Sequence, residues 1–131
     1  MDRAALSRWV DAYERAWRTP GVEPLDDLFA EDAAYSTAPF EDPFVGLPAI
    51  RAMWEAGRSP DEEFTMSPEI VAVEGDVGVV RLWVHYTRPR DQVFWDLWIV
   101  TLAPDGRCAR FEEWPFWPAG TKGGYDRGPA S

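Results

Sequence analysis

The chain has 131 residues, a formal net charge of −10 at pH 7, 46% apolar and 15% aromatic residues. That length makes one domain with a sizeable core. The acidic balance excludes partners held through phosphates or anionic lipid, so neither nucleic acid nor a membrane surface is expected. Cys108 is the one cysteine, so no internal disulfide can form, and with no Asn there is no N-glycosylation site. No signal-like apolar stretch or membrane-length run is visible, and a cytoplasmic location is the expectation.

In chain order, Leu6, Trp9, Val10, Tyr13, Ala16 and Trp17 recur at helical spacing, opposite Asp11, Glu14, Arg15 and Arg18. Thr19-Pro20-Gly21 ends this first helix. A short second helix follows, with Pro24 near its first turn, acids at its positive end, and Leu25, Leu28 and Phe29 inward. Residues 33–37 read as a short strand and residues 39–44 as a loop. Gly46-Leu47-Pro48 opens a third helix, with Ile50, Met53 and Trp54 inward and Gly57 as its C-cap.

Beyond residue 63 the period changes from 3.6 to 2. Strands are expected at 64–74, 77–87, 93–103 and 107–116, with turns at Gly75-Asp76, residues 88–92 and Pro104-Asp105-Gly106. Pro68 marks an edge or a bulge. Short links imply antiparallel pairing. Residues 1–117 form one domain and 118–131, rich in Gly and Pro, a flexible tail that takes in Tyr125. The expected class is α+β: a cone-shaped domain with three N-terminal helices packed on a strongly curved, mostly antiparallel sheet.

The last hairpin holds four of the eight Trp residues and three carboxylates inside its strands, Asp96, Glu112 and Glu113. A turn centred on Asp105 sets Leu102 opposite Arg107, Trp98 opposite Phe111 and Asp96 opposite Glu113. One face then carries Asp96, Trp98, Val100, Ala109, Phe111 and Glu113. Arg81, Trp83 and His85 of the preceding strand are predicted to share it. The opposite face carries Leu82, Val84, Leu97, Ile99 and Trp114.

The element order resembles that of the nuclear transport factor 2-like superfamily, most closely its SnoaL-like and ketosteroid isomerase-like branches. The residues that carry the resemblance are Tyr13, the run Leu28-Phe29-Ala30-Glu31-Asp32-Ala33, Gly46 with Ala49-Ile50 and Trp54, Asp105-Gly106-Arg107, and Glu113-Trp114. It spans about residues 5 to 117. It implies a sheet wrapped around the first helix, a pocket lined by Arg81, Asp96, Trp98 and Glu113, and a homodimer through the outer sheet face. Tyr13 stands where ketosteroid isomerases place an oxyanion-binding tyrosine. Thr37 stands where their carboxylate base would be and Trp98 where their second donor acid would be. Neither residue can do that chemistry, so steroid isomerisation by that route is not expected.

Asp96 and Glu113 together would raise at least one pKa, which suits a general acid or base. Arg81 and His85 would orient the acids or polarise a substrate oxygen. The arrangement looks like that of limonene epoxide hydrolases but lacks their Arg-x-Asp spacing. The plain reading of the same acids is an inert ion-pair network, and of Tyr13 a core tyrosine. Trp17, Tyr35, Thr37, Phe40, Trp54, Trp83, Trp98 and Phe111 are candidate walls for an apolar ligand, with Trp9, Phe29 and Trp54 the first choices for plain core. No metal motif and no nucleotide motif is present, so no metal and no cofactor are expected. The expected function is acid–base catalysis (isomerisation, cyclisation, dehydration or epoxide opening) on a largely apolar small molecule. The alternative is a non-catalytic ligand-binding or dimerisation module of the same fold.

Overall fold

The computed structural model describes residues 1–121. Helix α1, Arg3–Arg18, begins where the Asp2 carboxylate accepts the Ala5 amide at 2.7 Å, a side-chain cap for a free backbone donor. Its stripe of Leu6, Trp9, Val10, Tyr13 and Ala16 is buried. Helix α2 is a single turn, Leu25–Leu28, and α3 is Leu47–Ala56, with Gly57 as C-cap.

The strands are β1 (Phe29–Ser36), β2 (Phe44–Val45), β3 (Glu63–Glu74), β4 (Val77–Arg88), β5 (Gln92–Leu102) and β6 (Cys108–Phe116). β1 begins at Phe29, earlier than the spacing suggests, and the expected loop 39–44 ends in the short strand β2. The sheet order is β2-β1-β6-β5-β4-β3. Only β1 and β6 pair in parallel. β3 is the outer edge, which accommodates Pro68 without a lost ladder bond on that side.

The sheet's inner face closes on α1. The approach is tight at Gly78 in β4, where an added Cβ would lie 2.4 Å from Leu6 Cδ2. Rings fill the centre: Trp9 packs at 5.5–6.2 Å on Tyr13, Phe29, Trp98 and Phe111. The expected tail falls mostly on residues 122–131, Tyr125 included, which lie outside the described residues. Just before them, Trp117 packs edge-on to Phe94 at 6.2 Å and Thr121 accepts from Gln92 at 3.1 Å.

Register departs from expectation in the last hairpin, and the departures cancel. Gly106 sits at φ 88°, and the Ala103 amide bonds the Arg107 carbonyl, a turn one residue longer than the one assumed. Ala109 is then an extra residue, because Leu102 pairs with Cys108 but Thr101 with Arg110. Two one-residue shifts restore the original facing. Asp96, Trp98, Phe111 and Glu113 share the inner face as the sequence predicts, but Trp98 opposes Glu113, and Asp96 opposes Pro115. Near the turn, Cys108 is the fully buried residue and Ala109 is only half-buried.

Strand β4 is different. Leu82 pairs with Asp96 and Val84 with Phe94, while Arg81 pairs with Leu97, Trp83 with Trp95 and His85 with Val93. Arg81, Trp83 and His85 therefore lie on the outer face, and Leu82 and Val84 on the inner one. The five residues between paired Tyr86 and Gln92 bring even positions opposite even positions.

Candidate functional site

A cavity of about 590 Å³ lies between α1, α3 and the inner face of the sheet. Every element except α2 contributes to its wall. Tyr13 and Trp17 come from α1, Met53 and Trp54 from α3, Tyr35 from β1, and Thr37 and Glu41 from the loop after it. Phe64 and Met66 come from β3, Leu82, Val84 and Tyr86 from β4, Phe94, Asp96 and Trp98 from β5, and Glu113 from β6.

Asp96 and Glu113 are the charged side chains buried among these, at 8% and 5% exposure. Alternation puts them inward, since Asp96 lies between the buried Phe94 and Trp98 and Glu113 follows the buried Phe111 at i−2. Burial, with the charge of Glu113 second, pushes the Asp96 carboxyl up to about 8, so it holds a proton at neutral pH. The two acids titrate as a pair. Asp96 Oδ1 has no hydrogen-bond partner, a costly state for a buried polar atom.

Tyr13 reaches the same place from the helix. Its hydroxyl donates to Glu113 Oε2 at 3.5 Å and lies 3.1 Å from the Tyr35 hydroxyl, with either as donor. Burial above all, then the charge of Glu113, holds the Tyr35 phenol well above its ordinary value, so it stays neutral. The Trp54 indole eases that shift slightly without closing a full hydrogen bond. Trp98 stands 4.5 Å from the Tyr13 ring, and its indole N–H is also unsatisfied.

The sequence-predicted site residues divide accordingly. Tyr13, Trp17, Tyr35, Thr37, Trp54, Trp98, Asp96 and Glu113 come together at the cavity. Arg81 does not: it forks onto Glu69 at 2.7 and 2.9 Å on the outer face. His85 is likewise outside, 3.2 Å from Asp91, and Trp83 stacks edge-on to Trp95 at 5.1 Å. Phe40 is fully exposed. Phe111 is fully buried behind Tyr13, Tyr35 and Trp98, and the cavity does not reach it. The plain core reading of Trp54 also holds in part, since it is 1% exposed while lining the cavity.

Sequence reasoning missed Glu41, Phe44, Met53, Phe64, Met66, Leu82, Val84, Tyr86 and Phe94 as wall residues. A signal for part of this was present. Val80, Leu82, Val84 and Tyr86 form an unbroken apolar alternation, whereas Arg81 and His85 interrupt the other face of β4, so the first set is the buried one. Phe94 follows from Asp96 by a period of two. Phe64 and Met66 carried no local signal, since only the sheet's curvature brings β3 to the cavity. Among the described residues no group of His, Cys, Asp and Glu has the arrangement of a metal site. No described helix is long and apolar enough to cross a membrane.

Known structures share this architecture. An LEH-like epoxide hydrolase from M. tuberculosis superposes with a TM-score of 0.68 at 16% identity, over 86% of this chain and 84% of that one. A SnoaL-like family protein from Agrobacterium tumefaciens gives 0.70 at 20% identity, over 86% and 98%. A nuclear transport factor 2-like protein of unknown function from Burkholderia pseudomallei gives 0.67 at 15%, over 90% and 92%. At these identities the likeness is one of fold. No curated protein matches the sequence. The family model for the SnoaL-like domain matches residues 10–111, and the chain therefore belongs to the SnoaL-like family.

Proposed function

We propose that the protein is an acid–base enzyme that works with its own side chains on a largely apolar small molecule, in the cytoplasm. The observation that carries this is Asp96: a buried carboxyl with an unpartnered oxygen, raised to about 8, in the wall of an aromatic cavity. A carboxylic acid that keeps its proton at pH 7 is poised as a general acid. In this reading Asp96 protonates a substrate oxygen and Glu113 takes up a proton elsewhere on the substrate. The indole N–H of Trp98 and the Tyr13 hydroxyl, itself linked to Tyr35, hold the reacting oxygen. Ring opening of an epoxide, dehydration, isomerisation and cyclisation all fit that division of labour. The M. tuberculosis neighbour is an LEH-like epoxide hydrolase, which makes epoxides the first substrates to try.

The alternative, a non-catalytic module, required Arg81 to neutralise the acids in a closed interior. Arg81 instead pairs with Glu69 on the far side of the sheet, which favours the enzyme. The test is a thermal-shift screen against epoxides, lactones, polyketide-like aromatics and steroids, followed by turnover of the hits. Activity should fall above about pH 8 as the Asp96 proton is lost. Asp96→Asn should bind the hit and fail to turn it over; full turnover by this variant removes Asp96 from the mechanism.

The outer sheet face supports a homodimer. Trp83, Trp95 and Phe116 align across three strands at 37%, 50% and 62% exposure, a patch that a second subunit would cover. Light scattering should give twice the monomer mass for the native protein and the monomer mass for Trp95→Glu. A monomeric native protein refutes the dimer.

A further inference from the structure

If the cavity is a ligand site, as proposed above, its wall also specifies the ligand's charge. Nine of the described lining residues are aromatic, and none is Lys, Arg or His. Ring faces attract cations, and the protein already uses these rings that way from outside. The Arg58 guanidinium lies 5.3 and 5.6 Å from the Trp17 and Trp54 rings, and that of Arg18 lies 4.2 Å from Phe64. In the β5 part of the wall, two residues from Trp98, Asp96 Oδ1 is a buried oxygen with no hydrogen-bond partner. A hydrocarbon would bring that carboxyl no compensating charge, and an anion would meet the charge of Glu113 in the same wall. The net charge of −10 draws cations toward the protein from solution.

We infer that the cavity takes an organic cation, a protonated amine or quaternary ammonium on an aromatic-sized apolar frame, with its charge beside Asp96 and Trp98. A cation at this position favours the ionised form of Asp96, so binding expels the Asp96 proton, and such a ligand is held by Asp96 rather than protonated by it. The sign follows: affinity rises with pH up to about 8 and is level above it. The other titratable groups around the cavity are Glu113 on β6, Tyr13 on α1, Tyr35 on β1, Tyr86 on β4 and Glu41 in the loop after β1. The tyrosines Tyr35 and Tyr86 are pushed up by burial and stay neutral throughout this range.

The experiment is calorimetric titration of the native protein with three probes of one shape class: phenyltrimethylammonium, its neutral isostere tert-butylbenzene, and benzoate. The ammonium ion should bind at least about tenfold tighter than the isostere at pH 9, and its affinity should rise several-fold from pH 6 to pH 9. Benzoate should be the weakest. In Asp96→Asn, checked for its melting transition, the pH-dependent rise should vanish while the ring-derived preference persists. Equal or tighter binding of tert-butylbenzene, or an ammonium affinity that ignores pH, overturns the inference and leaves the ligand-site reading standing. Failure of all three probes together with the earlier screen overturns both.

Discussion

Replacing Asp96 by Asn tests the electrostatics of the cavity without any knowledge of its ligand. In the unfolded chain the carboxyl ionises near its ordinary value of 3.8; in the fold it is raised to about 8 by burial and by Glu113. Between those values the native state binds the extra proton, so stability is highest below pH 4 and is lost as pH rises toward 8. The slope approaches one proton, or roughly 3 kcal/mol between pH 5 and pH 7. For a domain of this size that is roughly 10 °C in Tm. Asn has nearly the same shape and does not titrate. Ionisable groups remote from the cavity contribute equally to both proteins, so the difference between them isolates Asp96 together with its coupling to Glu113. Urea unfolding at half-unit steps from pH 5 to pH 9 should show the native protein losing roughly 3 kcal/mol relative to the variant by pH 7. Parallel curves, or a native protein that gains on the variant as pH rises, refute the buried protonated acid and with it the general-acid role.

Gly78→Ala should destabilise by about 1–3 kcal/mol in denaturant unfolding, because its Cβ would lie 2.4 Å from the buried Leu6 side chain. In a Leu6→Ala background the same change should cost under about 0.5 kcal/mol. Arg58 donates to the carbonyls of Ala16, Trp17, Thr19 and Gly21 at the end of α1. Arg58→Ala should cost about 2–3 kcal/mol, and Arg58→Lys should recover less than half, since an ammonium cannot span that fork. Arg81→Ala and His85→Ala, on the outer face, should each change stability by less than about 0.5 kcal/mol and leave cavity binding unaltered by calorimetry. A large loss of binding in either would contradict the observed register of β4.

Several elements were legible because their signals are local. The α1 stripe, the Gly57 cap and the four long strands follow from spacing and turn residues, and the structure places them within about two residues of expectation. Resemblance to the SnoaL-like fold supplied the topology, including a sheet wrapped on the first helix. The placement of Asp96 and Glu113 on one face was also predictable, although the expected pairing of the two was not observed, and the facing survived through two compensating errors: a longer turn at Gly106 and a bulge at Ala109. Alternation depends only on parity, so two single-residue shifts leave it intact.

Parity across the link from β4 to β5 had no such protection. Nothing in residues 87–91 states how many of them stand between paired positions, and one unit of error moved Arg81, Trp83 and His85 to the wrong side. Which acids share a cavity without a buried arginine was therefore decided in three dimensions. So was the gathering of Phe64, Met66, Met53 and Glu41, up to 72 residues from Glu113 in sequence, into the wall of one cavity with it. The sequence by itself determined the elements, the inward faces of α1, β5 and β6, and the presence of two acids on one of them. Tertiary structure alone decided which neighbours those acids have, and it is the neighbours, through burial and like charge, that set the proton on Asp96.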